Sequence, residues 1–310
     1  MDHKATILEA LEIIRKKEVA EKEPFKVKAY KTAIEQLSLL PSIKSIEDVR
    51  GVKGIGIKII AKIEEILATG SLKAAETAKE VVKKSEELLK SHGIGPAKLK
   101  ELYSYGISTV AQLREAIQKN PHILSPVQTI GLKYYEPLLL RIPRKEMEDH
   151  EELLQKAIAP FQKGKLVRRA DLVGSYRRGA ATSGDIDVLL EGEDPTILVD
   201  LLHTLTIHHY IVGVLAHGAR KVMAIVQLKG HPERRLDLLL TPHTEYPFAL
   251  TYFTGSDKFN IAMRKQALSM NLTLNEHGLT TKAGIPVHGI RTEKDLFKAL
   301  KMDWKEPHER

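Results

Sequence analysis

The chain has 310 residues, 43% of them hydrophobic and 28% charged, enough for more than one packed core and too mixed for a disordered polymer. Cysteine is absent, which excludes a disulfide framework, a thiolate metal site and a cysteine nucleophile, so any metal must rest on oxygen or imidazole. A formal net charge of +8 favours a polyanionic partner, because clustered Lys and Arg gain affinity by releasing counterions from phosphates.

In chain order, Asp2 to about Gly70 carries apolar residues at helical spacing, Ile7, Leu8, Leu11 and Ile14 and then Ala29, Ala33, Ile34 and Leu37, punctuated by Pro24, Pro41 and Gly51. A second helical stretch runs from roughly Glu76 to Arg141, broken at Gly93, Gly106 and Pro121, and ends in the basic segment Arg141-Ile142-Pro143-Arg144-Lys145. Beyond His150 the texture changes. One more helix gives way to β-rich runs at Ala170 to Val173, Ile186 to Leu190, Val222 to Leu228 and Leu236 to Leu240, and from Tyr246 a helix-plus-hairpin region follows, with strands expected at Leu272-Thr273-Leu274 and Gly278-Leu279-Thr280. The N-terminus lacks the basic-then-apolar order of a signal peptide, and no apolar run approaches the roughly 18 residues a membrane span needs, so the expected location is inside the cell.

Two segments repeat one device, Gly51-Val52-Lys53-Gly54-Ile55-Gly56 and Ser91-His92-Gly93-Ile94-Gly95-Pro96, each between helical patterns. Both fit helix-hairpin-helix turns, in which Gly54, Gly56, Gly93 and Gly95 let the backbone approach a phosphate and the next helix presents free amides to it. An ordinary glycine C-cap explains one such turn, but two in one basic chain favour the phosphate reading. The turns are also candidate sites for a monovalent cation.

The richest stretch runs from Gly174-Ser175-Tyr176-Arg177-Arg178-Gly179 through Ser183-Gly184-Asp185-Ile186-Asp187-Val188. A strand ends at a glycine-flanked turn bearing Ser175 and two arginines, and the next strand presents two aspartates. Side chains alternate along a strand, so Asp185 and Asp187 share one face while Ile186 and Val188 take the other. Asp237 sits singly among apolar neighbours in Arg235-Leu236-Asp237-Leu238. Three carboxylates on neighbouring strands suit two Mg2+ ions, with Mn2+ able to substitute, and that is equipment for phosphoryl transfer. An Asp-x-Asp pair alone is more often a solvated strand edge; joined to the Gly-Ser turn at this spacing it points to nucleotidyl transfer. Arg178, Ser175 and backbone donors at Gly184 are placed to hold phosphate oxygens.

These motifs resemble those of the family X DNA polymerases, with the β enzyme as the likeness, over essentially the whole chain. The resemblance is carried by Lys28-Ala29-Tyr30-Lys31, Gly54 to Lys62 with Leu67-Ala68-Thr69-Gly70, Gly93-Ile94-Gly95-Pro96, Ile130-Gly131-Leu132-Lys133-Tyr134, Arg141-Ile142-Pro143-Arg144, the Gly174 to Asp187 motif, Arg234-Arg235-Leu236-Asp237 and Tyr252-Phe253-Thr254-Gly255-Ser256. It implies a multidomain α+β fold: an N-terminal helical lyase-like domain over 1–80 with the first helix-hairpin-helix, a helical DNA-binding subdomain over 81–143 with the second, a nucleotidyltransferase-type palm with a mixed sheet over 144–243, and a small nucleotide-selection subdomain over 244–310. It further implies that Arg144, Ser175, Arg178 and Gly184 bind the triphosphate, that Arg235 orients Asp237, and that Asp257 and Asn260 contact the incoming base. Tyr252, Phe253 and Gly255 would crowd a 2′-hydroxyl and so prefer deoxynucleotides, though core packing explains the two rings equally well, and Arg264 would meet the template in the minor groove. Ile261 stands where the β enzyme has a lysine, and Tyr176 where it has a phenylalanine.

Lys58 and Lys62 lie four apart on a helix face, where two ammonium groups disfavour each other's charge and so favour the neutral amine a Schiff-base nucleophile needs. A solvated phosphate-binding face is the plainer alternative. The resemblance makes Lys62 the nucleophile of a 5′-deoxyribose phosphate lyase, with Lys26, Tyr30, Arg50 and Lys58 around the 5′-phosphate; Phe25 and Ala61 replace a histidine and a glutamate of the β enzyme, which predicts a slower lyase. The thirteen histidines show no spacing that commits to zinc.

The expected function is a DNA-directed DNA polymerase that fills short gaps in base excision repair, a monomer working on gapped or nicked DNA with a 5′-phosphate and on deoxynucleoside triphosphates, nuclear if the source is eukaryotic. An end-joining or template-independent transferase of the same family is the alternative, disfavoured because Lys229-Gly230-His231-Pro232-Glu233 is only a turn where such enzymes carry a long loop. A silent DNA-end-binding module is the second alternative, disfavoured by three carboxylates facing DNA phosphates. No additional docking domain and no proofreading domain is expected.

Overall fold

The computed structural model describes residues 2–21 and 23–310 and divides into two compact units, Met1–Lys133 and Tyr134–Arg310. The first is all helical. Helix α1 (Lys4–Ala20) buries Ile7, Ala10, Leu11 and Ile14 as one stripe, and α2 (Pro24–Ser38) opens on a proline whose missing N–H costs nothing at a helix start. After a single 3-10 turn at Ile46–Asp48, Gly51 (φ 80°) and Gly54 (φ 90°) reverse the chain. A Cβ at Gly54 would lie 2.8 Å from Thr32 Cγ2, so glycine is needed there both for conformation and for space. Gly56 then caps α3 (Ile57–Thr69), whose Ile59, Ile63 and Ile66 complete the core.

Helix α4 (Lys73–Leu89) leads to the second turn, where Gly93 (φ 81°) and the cap residue Gly95 open α5 (Pro96–Ser104). The division expected at residue 80 falls inside α4, which packs on α1, so both turns belong to one unit. After α6 (Val110–Lys119), helix α7 (Pro126–Lys133) braces the second turn: Gln128 donates to the Gly93 carbonyl at 2.9 Å, and a Cβ at Gly131 would stand 2.4 Å from the His92 carbonyl oxygen.

The second unit begins with α8 (Tyr135–Leu139), β1 (Ile142–Pro143), which pairs with β3 (Thr182–Ser183), and α9 (Arg144–Lys163). Its centre is a five-stranded mixed sheet of β2 (Ala170–Leu172), β4 (Ile186–Glu191), β7 (Arg234–Thr241), β6 (Lys221–Val226) and β5 (Ile211–His217), in that spatial order. Only β4 and β7 run parallel. Ile186, Val188, Leu236 and Leu238 are fully buried and face α9 and α11 (Thr196–Ile207), while Leu189 and Leu239 face α12 (Tyr246–Thr254). Strand β5 was not expected from the sequence: two register breaks, at Ile211/Gly213 and Val214/Ala216, interrupt the alternation that would reveal it. Helix α13 (Asp257–Ser269), the hairpin β8 (Leu272–Asn275) with β9 (Gly278–Thr281), and α14 (Glu293–Ala299) enclose a separate small core around Phe259, Met263 and Phe297. The α+β class is therefore as the sequence implied. Among the described residues no helix is long and apolar enough to cross a membrane.

Candidate active site

The parallel pairing of β4 with β7 sets Asp187 directly opposite Asp237. Both leave the sheet on the face opposite the α9/α11 core, because their neighbours on either side take the apolar face. Asp237 is 5% exposed, and its Oδ1 accepts no hydrogen bond. Burial first, and the charge of Asp237 second, push the Asp187 carboxyl up to about 6.

Asp185 lies one residue before β4, and its carboxylate is taken by the Arg235 guanidinium. Arg235 Nε also stands 3.4 Å from Asp237 Oδ1, and Lys221 Nζ lies 2.8 Å from Asp237 Oδ2. The carboxylates are thus engaged by cations, Arg235 bridging Asp185 and Asp237, and among the described residues no three His, Asp or Glu side chains converge as a finished metal cage. The donor set nevertheless fits a hard divalent ion: it is all oxygen, it sets the half-buried Asp187 carboxylate opposite the buried one of Asp237, and Asp237 Oδ1 is a buried acceptor with nothing bonded to it.

The turn after β2 is built around Gly174, at φ 63°, where a Cβ would stand 2.7 Å from Asp187 Oδ2. The single helical turn α10 (Gly174–Arg177) follows. Ser175 Oγ donates to Ser183 Oγ at 3.0 Å, and Arg178 donates to the Thr254 carbonyl at 2.6 Å. Arg177 is gripped by the carboxylate of Glu293, on α14, at 2.7 Å.

An open cleft of about 880 Å³ is lined by Ser175, Arg178, Gly184, Asp185, Asp187 and Arg235 on one side and Tyr252, Phe253, Gly255, Asp257, Lys258 and Asn260 on the other, with Asp187 and not the buried Asp237 in its lining. Arg144 is not among them. Its guanidinium donates to the Tyr176 carbonyl at 3.1 Å and lies 4.5 Å over the Tyr176 ring, which makes it a brace behind the turn. Arg141 lines the cleft instead, anchored on the Thr182 carbonyl at 2.7 Å, with its guanidinium against the space a Gly184 side chain would fill. No local signal separates it from Arg144, because which guanidinium meets the Tyr176 carbonyl depends on contacts distant in sequence.

Opposite the carboxylates, Tyr252 and Phe253 meet edge-on with centroids 5.1 Å apart, and Asn260 donates to the Tyr252 carbonyl at 2.8 Å. Gly255 has φ 66°, and a Cβ there would press on Arg178 at 3.2 Å. Arg264 lies outside the cleft proper, 5.1 Å over the Tyr252 ring and 3.8 Å from Glu276. Ile261 is half exposed on the same helix.

In the helical unit, Lys62 Nζ reaches back to 3.4 Å from the Lys58 carbonyl, so the two lysines do share a face of α3. The other residues assigned to a phosphate pocket are engaged elsewhere: Lys26 with Glu18 at 3.1 Å, Arg50 with Glu47 at 3.0 Å, and Tyr30 within the core at 9% exposed. Phe25 is 88% exposed.

Four family models match the chain in order: a helix-hairpin-helix domain over residues 2–72, the fingers domain of DNA polymerase lambda over 86–139, the DNA polymerase beta palm over 141–243 and the DNA polymerase beta thumb over 249–310. The chain is 29% identical over 326 residues to DNA polymerase lambda of Rattus norvegicus, covering 98% of this chain and 56% of that protein. It is 30% identical over 312 residues to DNA polymerase lambda of Arabidopsis thaliana, covering 91% and 57% respectively. With DNA nucleotidylexotransferase of Xenopus laevis the figures are 27%, 86% and 60%. The chain thus spans a little more than half the length of the curated relatives it matches.

Proposed function

We propose, for a chain that belongs to the family X DNA polymerases, that it adds deoxynucleotides to a primer 3′-hydroxyl opposite a DNA template and fills short gaps during repair inside the cell. The observation that carries this is the opposition of Asp237 to Asp187, which lines a cleft whose other walls bear arginines and two adjoining aromatic rings.

Each residue has a task in that reaction. Asp185, Asp187 and Asp237 would hold two Mg2+ ions, which when bound supply Lewis acidity at the primer hydroxyl and neutralise charge on the triphosphate. Arg141, Arg178, Ser175 and the Gly184 amide bind phosphate oxygens, and Arg144 keeps their turn in shape. Tyr252, Phe253 and Gly255 crowd the sugar, so a ribose 2′-hydroxyl is disfavoured, and Asp257 and Asn260 flank the base. The glycine turns ahead of α3 and α5 present their amides to the DNA backbone, which positions the duplex without reading its sequence.

Lys62 supplies a second activity, a 5′-deoxyribose phosphate lyase through an imine with the abasic sugar. The support is its shared face with Lys58 and its place on the helix after the first turn. The relative named as a nucleotidylexotransferase keeps untemplated addition in view, but β6 and β7 are joined here by only the short segment Gln227 to Glu233, with no long loop to block a template.

Primer extension on gapped, nicked and single-stranded DNA, with ribo- and deoxynucleotides side by side, tests the reading. Templated addition into short gaps with a clear preference for deoxynucleotides is expected. Equal extension of a single-stranded primer would transfer the chain to the untemplated class, and equal use of ribonucleotides would remove the sugar-crowding role.

A further inference from the structure

Lys221 has no part in the function proposed above, yet it makes the shortest cationic contact to Asp237, 2.8 Å from Nζ to Oδ2. The geometry follows from the sheet. On antiparallel strands β6 and β7, Met223 stands opposite Asp237 and Lys221 opposite Leu239, so Lys221 lies diagonally from Asp237 on the same face. Its backbone neighbour Val222 is fully buried on the other face, which fixes the direction in which the lysine leaves the sheet. The two partners differ in access: the Asp237 side chain is 6% exposed and that of Lys221 46%. The lysine therefore covers the carboxylate from the rim, on a long flexible stem, rather than being locked beside it.

We propose that Lys221 is the resident counter-ion of the carboxylate site, occupying the place of a divalent cation at Asp237 until one arrives and swinging away when it does. The inference rests on the reading of Asp185, Asp187 and Asp237 as metal ligands. Asp187 and Asp237 face each other at the sheet, and without a positive charge nearby their repulsion would fall on the fold. Lys221 and Arg235 supply that charge on two sides of Asp237. A divalent ion bound to the same carboxylate repels an ammonium held within hydrogen-bond distance of it, so the two occupy the site in turn. Arg235 is held by Asp185 as well and stays; Lys221 makes no second ion pair among the described residues, though its charge also reaches Asp187, and it can leave. The identity of residue 221 would then set how tightly the metal binds.

The test uses the full chain and Mn2+ alone, without DNA or nucleotide, with free Mn2+ read by electron paramagnetic resonance. Lys221→Met is expected to bind Mn2+ roughly threefold to tenfold more tightly than the parent, the worth of a half-exposed ion pair removed from the competition. Unchanged or weaker binding overturns the counter-ion role. Asp237→Ala separates the two readings. If it binds Mn2+ as well as the parent, the metal assignment fails and takes the counter-ion with it; if it loses Mn2+ while Lys221→Met equals the parent, only the counter-ion role falls. A second measurement needs no variant: acetylation of Lys221 in the parent by an N-hydroxysuccinimide ester, followed by mass spectrometry, should run faster in Mn2+ than in a chelator. Equal rates overturn the proposal.

Discussion

Asp187 and Asp237 occupy opposing positions of one parallel strand pair, and no apolar residue separates them on that face of the sheet. Asp237 is buried and Asp187 half-buried, so a cation admitted there meets two carboxylates with limited water around them. Three expectations for experiment concern this site and its cleft, and two concern Lys62 and His150.

Asp237→Ala should lower nucleotide addition by at least about a hundredfold while leaving DNA affinity near that of the parent, since the carboxylate contributes to the transition state and not to docking. Primer extension within about tenfold of the parent, a difference near 1.4 kcal/mol, would remove Asp237 from the reaction.

Gly174→Ala should be more damaging than its single carbon suggests. The left-handed conformation at φ 63° disfavours any side chain, and this one would enter 2.7 Å from Asp187 Oδ2. The strain is about 1–2 kcal/mol of stability, with a larger loss of activity because Asp187 must move. Thermal melting and primer extension on the same preparation give both readings.

Arg141 and Arg144 should separate in their effects. Arg141→Ala is expected to raise the nucleotide KM by about tenfold or more with melting unchanged, as for the loss of one charge-assisted phosphate contact. Arg144→Ala leaves the Tyr176 carbonyl without its guanidinium donor and should lower the melting temperature as well. Identical behaviour of the two variants would erase the distinction between a cleft residue and a brace.

Lys62 should be trapped on an incised abasic DNA by borohydride, with peptide mapping placing the adduct at this residue. Magnesium is not required, because imine formation and β-elimination use the amine and a general base. Full adduct yield in Lys62→Ala would move the nucleophile to another lysine, Lys58 first.

His150 gives the palm a pH dependence. The ring is fully buried and shares a 2.6 Å hydrogen bond with the Tyr210 hydroxyl, and burial pushes its pKa from 6.5 down to about 4, against the pull of Glu146. Between those values the unfolded chain binds a proton here that the folded chain refuses, so stability falls as pH drops from 6.5 towards 4 and loses nothing more from this group below that. The loss is on the order of 2 kcal/mol at pH 5 relative to pH 7. Urea unfolding of the parent and of His150→Gln at both pH values isolates it, and a proton-detected titration showing His150 charged at pH 6 would contradict it.

Much of this was legible in the sequence because the signals are local. Alternation around Asp187 and Asp237 announced two strands with a carboxylate on one face, and paired glycines announced the two helix-joining turns. What stayed hidden depends on contacts distant in sequence. Lys221 carries no sequence signal of its own and gains meaning only with β6 beside β7, and Arg141 can be told from Arg144 only by seeing which guanidinium the Tyr176 carbonyl captures. Strand β5 escaped because its register breaks remove the period of two.

The register of β4 against β7 has a consequence for how this chain fails. A slip of one residue would carry Asp187 or Asp237 from its own face of the sheet into the fully buried layer of Ile186, Val188, Leu236 and Leu238, and would set isoleucine or leucine in its place. An unpaired carboxylate in that layer costs more than a single domain can spare. A misaligned sheet is therefore an unfolded one, and the carboxylates act during folding as sentinels of alignment: the population of well-folded but inactive molecules is suppressed by the same charges that give the site its chemistry.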